Sequence, residues 1–283
     1  MIKQLIIVLI TPMLLIATGS KEQVVDHHMV SSENVLECGP SNTTFDPGEE
    51  ITYQLAYKWG VINMNAGEVT FRVEDLGNRY RFSAFGRTYA GYEWFYKVRD
   101  YYETVVDKAT LLPLVAKKRI SEGKYRLYEN VKFDHDKGVA IALRGKTKET
   151  AVKKEYPIES CMYDILSILY LTRNLRFDNL NIGDKFPVRF FMDKKIYPIE
   201  VIYGGKDPKK RVKANGLHKT VIFKPQLRKN KLFPDGGEMS VWVSDDQNRI
   251  PLLIESPVSV GKVRAILKDH KGLKNPLDSN LNQ

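Results

Sequence analysis

Residues 51–59 read Ile-Thr-Tyr-Gln-Leu-Ala-Tyr-Lys-Trp. Ile51, Tyr53, Leu55, Tyr57 and Trp59 occupy alternate positions, with Thr52, Gln54, Ala56 and Lys58 between them. Successive side chains of an extended chain point to opposite faces, so a period of two gives one apolar face and one more polar face, the pattern of a half-buried strand. The same alternation recurs outward from this stretch. Val69, Phe71 and Val73 alternate with Glu68, Thr70, Arg72 and Glu74, and Tyr80 and Phe82 alternate with Arg79, Arg81 and Ser83. Residues 75–78, with Gly77, read as the hairpin turn between these two runs. Further strands are predicted at Tyr101–Val106, Leu114–Ser121, Tyr125–Phe133 and Val139–Leu143, with turns at Gly123 and at 134–138. Beyond residue 180 the pattern predicts strands at Lys185–Met192, Ile196–Tyr203, Lys219–Pro225, Met239–Ser244, Pro251–Glu255 and Val260–Leu267.

One segment has a different period. Met162, Ile165, Leu166, Leu169 and Tyr170 lie at helical spacing, with Ser160 placed as N-cap, Asp164 in the first turn and Asn174 as a stop. This predicts one principal helix over about residues 161–174. Many short strands with so little helix predict a mainly β fold: an antiparallel open barrel, a half-barrel or a pair of packed sheets, its open end plugged or covered by the helix.

At the N-terminus, Lys3 precedes an apolar run from Leu5 to Ile16, interrupted only by Thr11 and Pro12 and followed by Ala17-Thr18-Gly19. As a helix that run reaches about 18 Å, short of a ~30 Å hydrocarbon core. Residues 1–19 are therefore expected to be a cleaved export signal, leaving no stable transmembrane segment. With no cysteine at the cleavage point, lipidation is not expected, and the mature chain belongs in the periplasm or outer envelope. Residues 20–44 are expected to be a flexible leader, 45–268 one β-rich domain and 269–283 a polar, frayed tail. The two cysteines, Cys38 and Cys161, lie in a compartment that permits disulfides. Paired, they would close a long loop, for which chain entropy predicts about 4–5 kcal/mol; two separate thiols are the other reading.

Three sets of residues carry a family resemblance: Gly48-Glu49-Glu50-Ile51-Thr52-Tyr53 leading to Ala66-Gly67; Tyr163-Asp164-Ile165-Leu166-Ser167 running to Arg173-Asn174; and Val241-Trp242-Val243-Ser244-Asp245-Asp246 followed by Arg249-Ile250-Pro251. In order and spacing the chain resembles the exported bacterial family known as domain of unknown function 3108 over about residues 45–267. The resemblance implies a β-rich envelope domain and carries over no catalytic residue. At the level of fold alone the chain is also similar to lipoprotein-carrier half-barrels. Within these motifs Gly48 and Gly67 are expected to serve turns or close backbone approach, and Pro251 a strand start. Asp164 and Ser167 either cap the helix or face a pocket. Arg173 is expected to pair with Asp245 or Asp246 across the core.

His27, His28, His135, His218 and His270 are scattered, without metal-ligand spacing, so no metal site is expected. No G-x-S-x-G, G-x-x-x-x-G-K or G-x-G-x-x-G occurs, which withdraws support from α/β-hydrolase and nucleotide chemistry. No cofactor is expected. Two clusters remain as candidate ligand contacts. Tyr89, Tyr92, Trp94, Phe95 and Tyr96 could line a groove or pack at a barrel rim. Lys209, Lys210 and Arg211, with Lys206 and Lys213 and with Arg228, Lys229 and Lys231 beyond the next strand, could form a positive rim or stand as independent solvated loops. The net charge of +10 suits anionic lipid or acidic glycan; an exported chain is not expected to meet nucleic acid. The leading expectation is a non-catalytic binding or carrier module for an apolar or glycan-like envelope ligand. A structural or assembly protein with an envelope protein as partner is the first alternative. The second is a hydrolase of an envelope polymer, which requires two of Glu93, Asp100 and Glu103 to converge on one cleft.

Overall fold

Alternation becomes pairing in the computed structural model, which describes residues 41–281 apart from 176, 178, 214, 228–236 and 259. The expected signal segment, most of the leader and Cys38, hence the proposed Cys38–Cys161 pair, lie outside the described residues, as do Arg228, Lys229 and Lys231. The first half of the chain is a meander of β1 (Glu50–Trp59), β2 (Ile62–Asp75), β3 (Arg79–Thr88), β4 (Arg99–Asp107), β5 (Pro113–Glu122), β6 (Tyr125–Asp134), β7 (Val139–Gly145) and β8 (Val152–Pro157), with a one-turn helix α1 (Ala90–Glu93) between β3 and β4. Helix α2 (Ile165–Thr172) follows, and then β9 (Lys185–Met192), β10 (Lys195–Val212), β11 (Gly216–Leu227), β12 (Gly237–Glu238), β13 (Ser240–Ser244), β14 (Pro251–Pro257) and β15 (Lys262–Lys271).

The last strand returns to the first. β15 pairs antiparallel with β1, joining the two meanders into one sheet of order β8-β7-β6-β5-β4-β3-β2-β1-β15-β14-β13-β11-β10-β9, with β12 paired to β11. The sheet is open between β8 and β9, yet its two ends meet through side chains. Phe191 on β9 packs against Phe133 on β6 and Tyr156 on β8, with ring centroids 6.0 and 5.9 Å apart. Asp193, in the β9–β10 turn, bonds Lys118 on β5 and Arg144 on β7. The outcome is the expected open antiparallel barrel, its apolar core on the concave side. Gly67 shows the close approach read from its motif: a Cβ there would lie 2.3 Å from the Arg87 carbonyl oxygen, beside a bulge in β1–β2 pairing.

The structure corrects five local expectations. The helix is shorter than 161–174, and its N-cap is Asp164, not Ser160. Lys206 to Val212, expected as a loop, continues strand β10, because Gly204-Gly205 and Pro208-Lys209 sit at irregularities that absorb extra residues without ending the ladder. β8 escaped prediction because it is exposed along nearly its whole length, so neither face required apolar residues; its Lys153, Lys154 and Glu155 charge the sheet's edge. The segment expected to fray from Asp269 instead extends β15 to Lys271 and folds back, burying Leu277 and Ser279, and the Lys219 N–H donates to the Ser279 carbonyl at 2.8 Å. At the other end, residues 41–44 of the leader pack down: Thr44 is buried and the Thr43 N–H donates to Asn174 Oδ1 at 2.8 Å.

Candidate functional site

Helix α2 begins at a double cap. Asp164 accepts the Ser167 N–H at 3.0 Å while Ser167 Oγ accepts the Asp164 N–H at 2.9 Å, and Thr104 Oγ1 donates to Asp164 Oδ2 at 2.6 Å, fastening the helix start to β4. Capping is therefore the role of both residues. Burial pushes the Asp164 carboxyl above its ordinary range. Because the helix is apolar nearly all round, it lies inside the sheet.

At the other end of α2, Arg173 is neutralised by Glu49, not by Asp245 or Asp246. Its two terminal nitrogens donate to the two Glu49 carboxylate oxygens at 2.6 and 2.8 Å, and its remaining donors meet the Asn248 and Thr44 carbonyls at 3.1 and 3.0 Å. The guanidinium lies over the Phe45 and Tyr170 rings. Burial works against its charge, and the Glu49 hydrogen bonds more than offset that, so its pKa is raised. Asp245 is held by Lys206, and Asp246 accepts the N–H groups of Asn248 and Arg249.

Between α2 and the concave sheet is a partly open cavity of about 230 Å3. The period of two on the second meander builds it: Phe186, Val188 and Phe190 from β9, Ile199 and Val201 from β10, Val241 and Val243 from β13 face Ile165, Ile168 and Leu169 of the helix. Tyr53 and Phe71 line it from the first meander, and Leu175, Phe177 and Arg249 complete it beyond the helix. Among the described residues the polar side chains in its wall, besides the tyrosines, are Thr172, Arg173 and Arg249. The strand and helix residues among these were read from the sequence as core, Arg173 as an ion-pair partner and Arg249 as part of a motif, while Leu175 and Phe177 were not singled out; none was read as a site.

None of the sequence-predicted ligand residues lines the cavity. Tyr89, Tyr92, Trp94, Phe95 and Tyr96 lie on and around α1, at one end of the sheet, where Trp94 is 85% and Phe95 65% exposed. Trp59, Val61, Ile62 and Val260 are exposed in turns at the same end. Lys209, Lys210 and Arg211 lie within β10; Lys210 is spread over the Trp242 ring, 3.4 Å from its centroid, while Lys209 and Arg211 are exposed. The three carboxylates of the hydrolase reading do not converge. Asp100 faces inward, Glu103 lies on the other face of β4 bonded to Lys117 and Tyr101, and Glu93 is held by Arg99 and Lys97.

Asp100 has a different companion. It is hydrogen-bonded to the Glu122 carboxyl and accepts the Ser121 N–H at 3.0 Å, and burial raises its pKa to about 6. A folded pKa above the unfolded value contributes stability that is present below the unfolded pKa and is lost as pH rises through about 6. Asp100→Asn keeps both hydrogen bonds without the proton. Denaturation measured from pH 4 to 7 should show the wild type losing stability relative to this variant as pH rises.

The protein-family comparison matches residues 52–268 to DUF3108, described as a protein of unknown function. No curated protein matches the chain. Among solved structures the fold is similar to a crystal structure of a beta-barrel-like protein of domain of unknown function DUF1849 from Brucella abortus, with a TM-score of 0.53 at 9% identity, covering 83% of this chain and 100% of that one.

Proposed function

The chain belongs to the DUF3108 family, and from that premise we propose that it is a non-catalytic envelope protein that binds an apolar ligand segment between α2 and the sheet. The observation that carries this reading is the cavity and its wall. At about 230 Å3 it exceeds the roughly 150 Å3 apolar cavity that takes up benzene, and suits one chain of about eight carbons, not a diacyl lipid. Each buried methylene contributes about 0.8 kcal/mol, so an eight-carbon chain supplies at most about 6 kcal/mol and a Kd no tighter than tens of micromolar. What supports an envelope location is the sequence of residues 1–19, a short apolar run of the export type. The exposed aromatic end of the sheet, Trp59, Trp94 and Phe95, favours a second role in assembly with an envelope protein.

The test is calorimetric titration of the full chain with 1-octanol, paired with Ile168→Trp, which puts an indole into the void from the buried face of α2. Binding is expected in the wild type and a loss of at least tenfold in the variant, at unchanged circular dichroism. A wild type that takes up no octanol, or a variant that binds it equally, overturns the reading.

A further inference from the structure

Two arginines line the cavity, and they differ in one respect. Arg173 is fully satisfied by Glu49. Arg249 has no carboxylate within salt-bridge distance among the described residues. The other described arginines that are not exposed, Arg81, Arg99, Arg144 and Arg264, each have one. The Arg249 side chain is held in place without a carboxylate partner among the described residues: its guanidinium lies over the Phe177 ring, 5.1 Å from the centroid, and Nη1 donates to the Leu175 carbonyl. The backbone at Arg249 is left-handed, φ 50°, a conformation that a side-chain-bearing residue adopts at a cost and that the Asp246 and Ser244 hydrogen bonds of its turn sustain. A half-buried guanidinium in an apolar wall, with donors still unused, is a poor arrangement for stability and a good one for an incoming anion, since its planar fork matches carboxylate and phosphate oxygens.

We propose that Arg249 receives the anionic head of a single-chain amphiphile whose apolar tail occupies the cavity. This rests on the apolar-ligand reading and narrows it to fatty-acid-like or monoalkyl-phosphate-like molecules. Head and tail then have separate partners: the charge meets the half-buried Arg249, and the chain runs along the faces of α2 and β9. The Phe177 ring and the Leu175 carbonyl together hold the guanidinium in place, so less side-chain freedom remains to be lost on binding.

The experiment compares 1-octanol, octanoate and octyl phosphate on the full chain at low and high salt. Both anionic probes should bind the wild type at least tenfold more tightly than octanol, and raising the salt from 50 to about 500 mM should weaken them while leaving octanol unchanged. Arg249→Gln should bring the three probes to parity with octanol affinity retained. Equal affinity for all three in the wild type, an advantage insensitive to salt, or an anion preference that survives Arg249→Gln overturns the assignment to Arg249 while the cavity reading stands. Failure of octanol itself to bind is the separate result that removes the cavity reading. Arg249→Lys is the second variant should Arg249→Gln misfold: with the charge kept and the planar fork lost, the preference for both anions should fall by several-fold at unchanged octanol affinity, and an undiminished preference overturns the assignment to Arg249.

Discussion

Arg173→Ala is expected to cost about 3–5 kcal/mol of folding stability, the range for removing one partner of a buried ion pair and leaving the other uncompensated. Glu49 is 1% exposed, and without the guanidinium its carboxylate has no solvent to turn to. The loss extends beyond the pair, because the same guanidinium bonds the carbonyls of Thr44 and Asn248. It thereby joins the segment before β1, the end of α2 and the β13–β14 turn. For a chain of this size the drop corresponds to a melting temperature lower by about 10 °C, read by calorimetry or circular dichroism. Arg173→Lys should recover only part of it, since an ammonium cannot make the two parallel bonds to Glu49. Full stability in Arg173→Ala would remove this pair from any account of how the helix is held.

The second large effect is expected at the junction of the sheet's two ends. Lys118 lies 3.1 Å from Glu129 and 2.6 Å from Asp193, and Arg144 bonds both carboxylates, all four side chains largely buried. Lys118→Ala leaves two buried carboxylates sharing one cation and should cost about 3–5 kcal/mol. Combining it with Asp193→Ala should cost clearly less than the sum of the single changes, because the two residues are in direct contact. Burial alone would raise the Asp193 pKa, and Lys118 and Arg144 more than reverse that, leaving it lowered. The stability it contributes is therefore present above pH ~4 and lost as the pH falls through its folded value, the opposite sign to Asp100. Urea midpoints of the single and double variants, taken at pH 7 and pH 3, test both statements.

The fold was legible in the sequence because most strands are half-buried, and a half-buried strand must alternate. It became illegible where that condition fails. Val152 to Pro157 is wet on both faces, and Lys206 to Val212 is polar and interrupted by bulges, so neither shows a clean period of two. The Arg173–Glu49 pair spans 124 positions, and no local pattern announces it. The cavity was hidden for a different reason: Phe186, Val188 and Ile168 would look the same in a filled core, and a void is a property of volumes in three dimensions. The aromatic cluster at residues 89–96 and the lysines of β10 drew attention by composition, yet exposure and strand geometry place them away from the cavity. Arg249 stood in the quoted motif, but that no carboxylate among the described residues reaches it is visible only in three dimensions.

A barrel whose two edge strands share a backbone ladder has a fixed girth, since widening it means breaking peptide hydrogen bonds in register. Here β8 and β9 are bridged by Phe191, Tyr156 and the Asp193 charges instead. The circumference at this seam is thus set by side chains, which can slide or swap rotamers, and not by a row of backbone bonds that must break together.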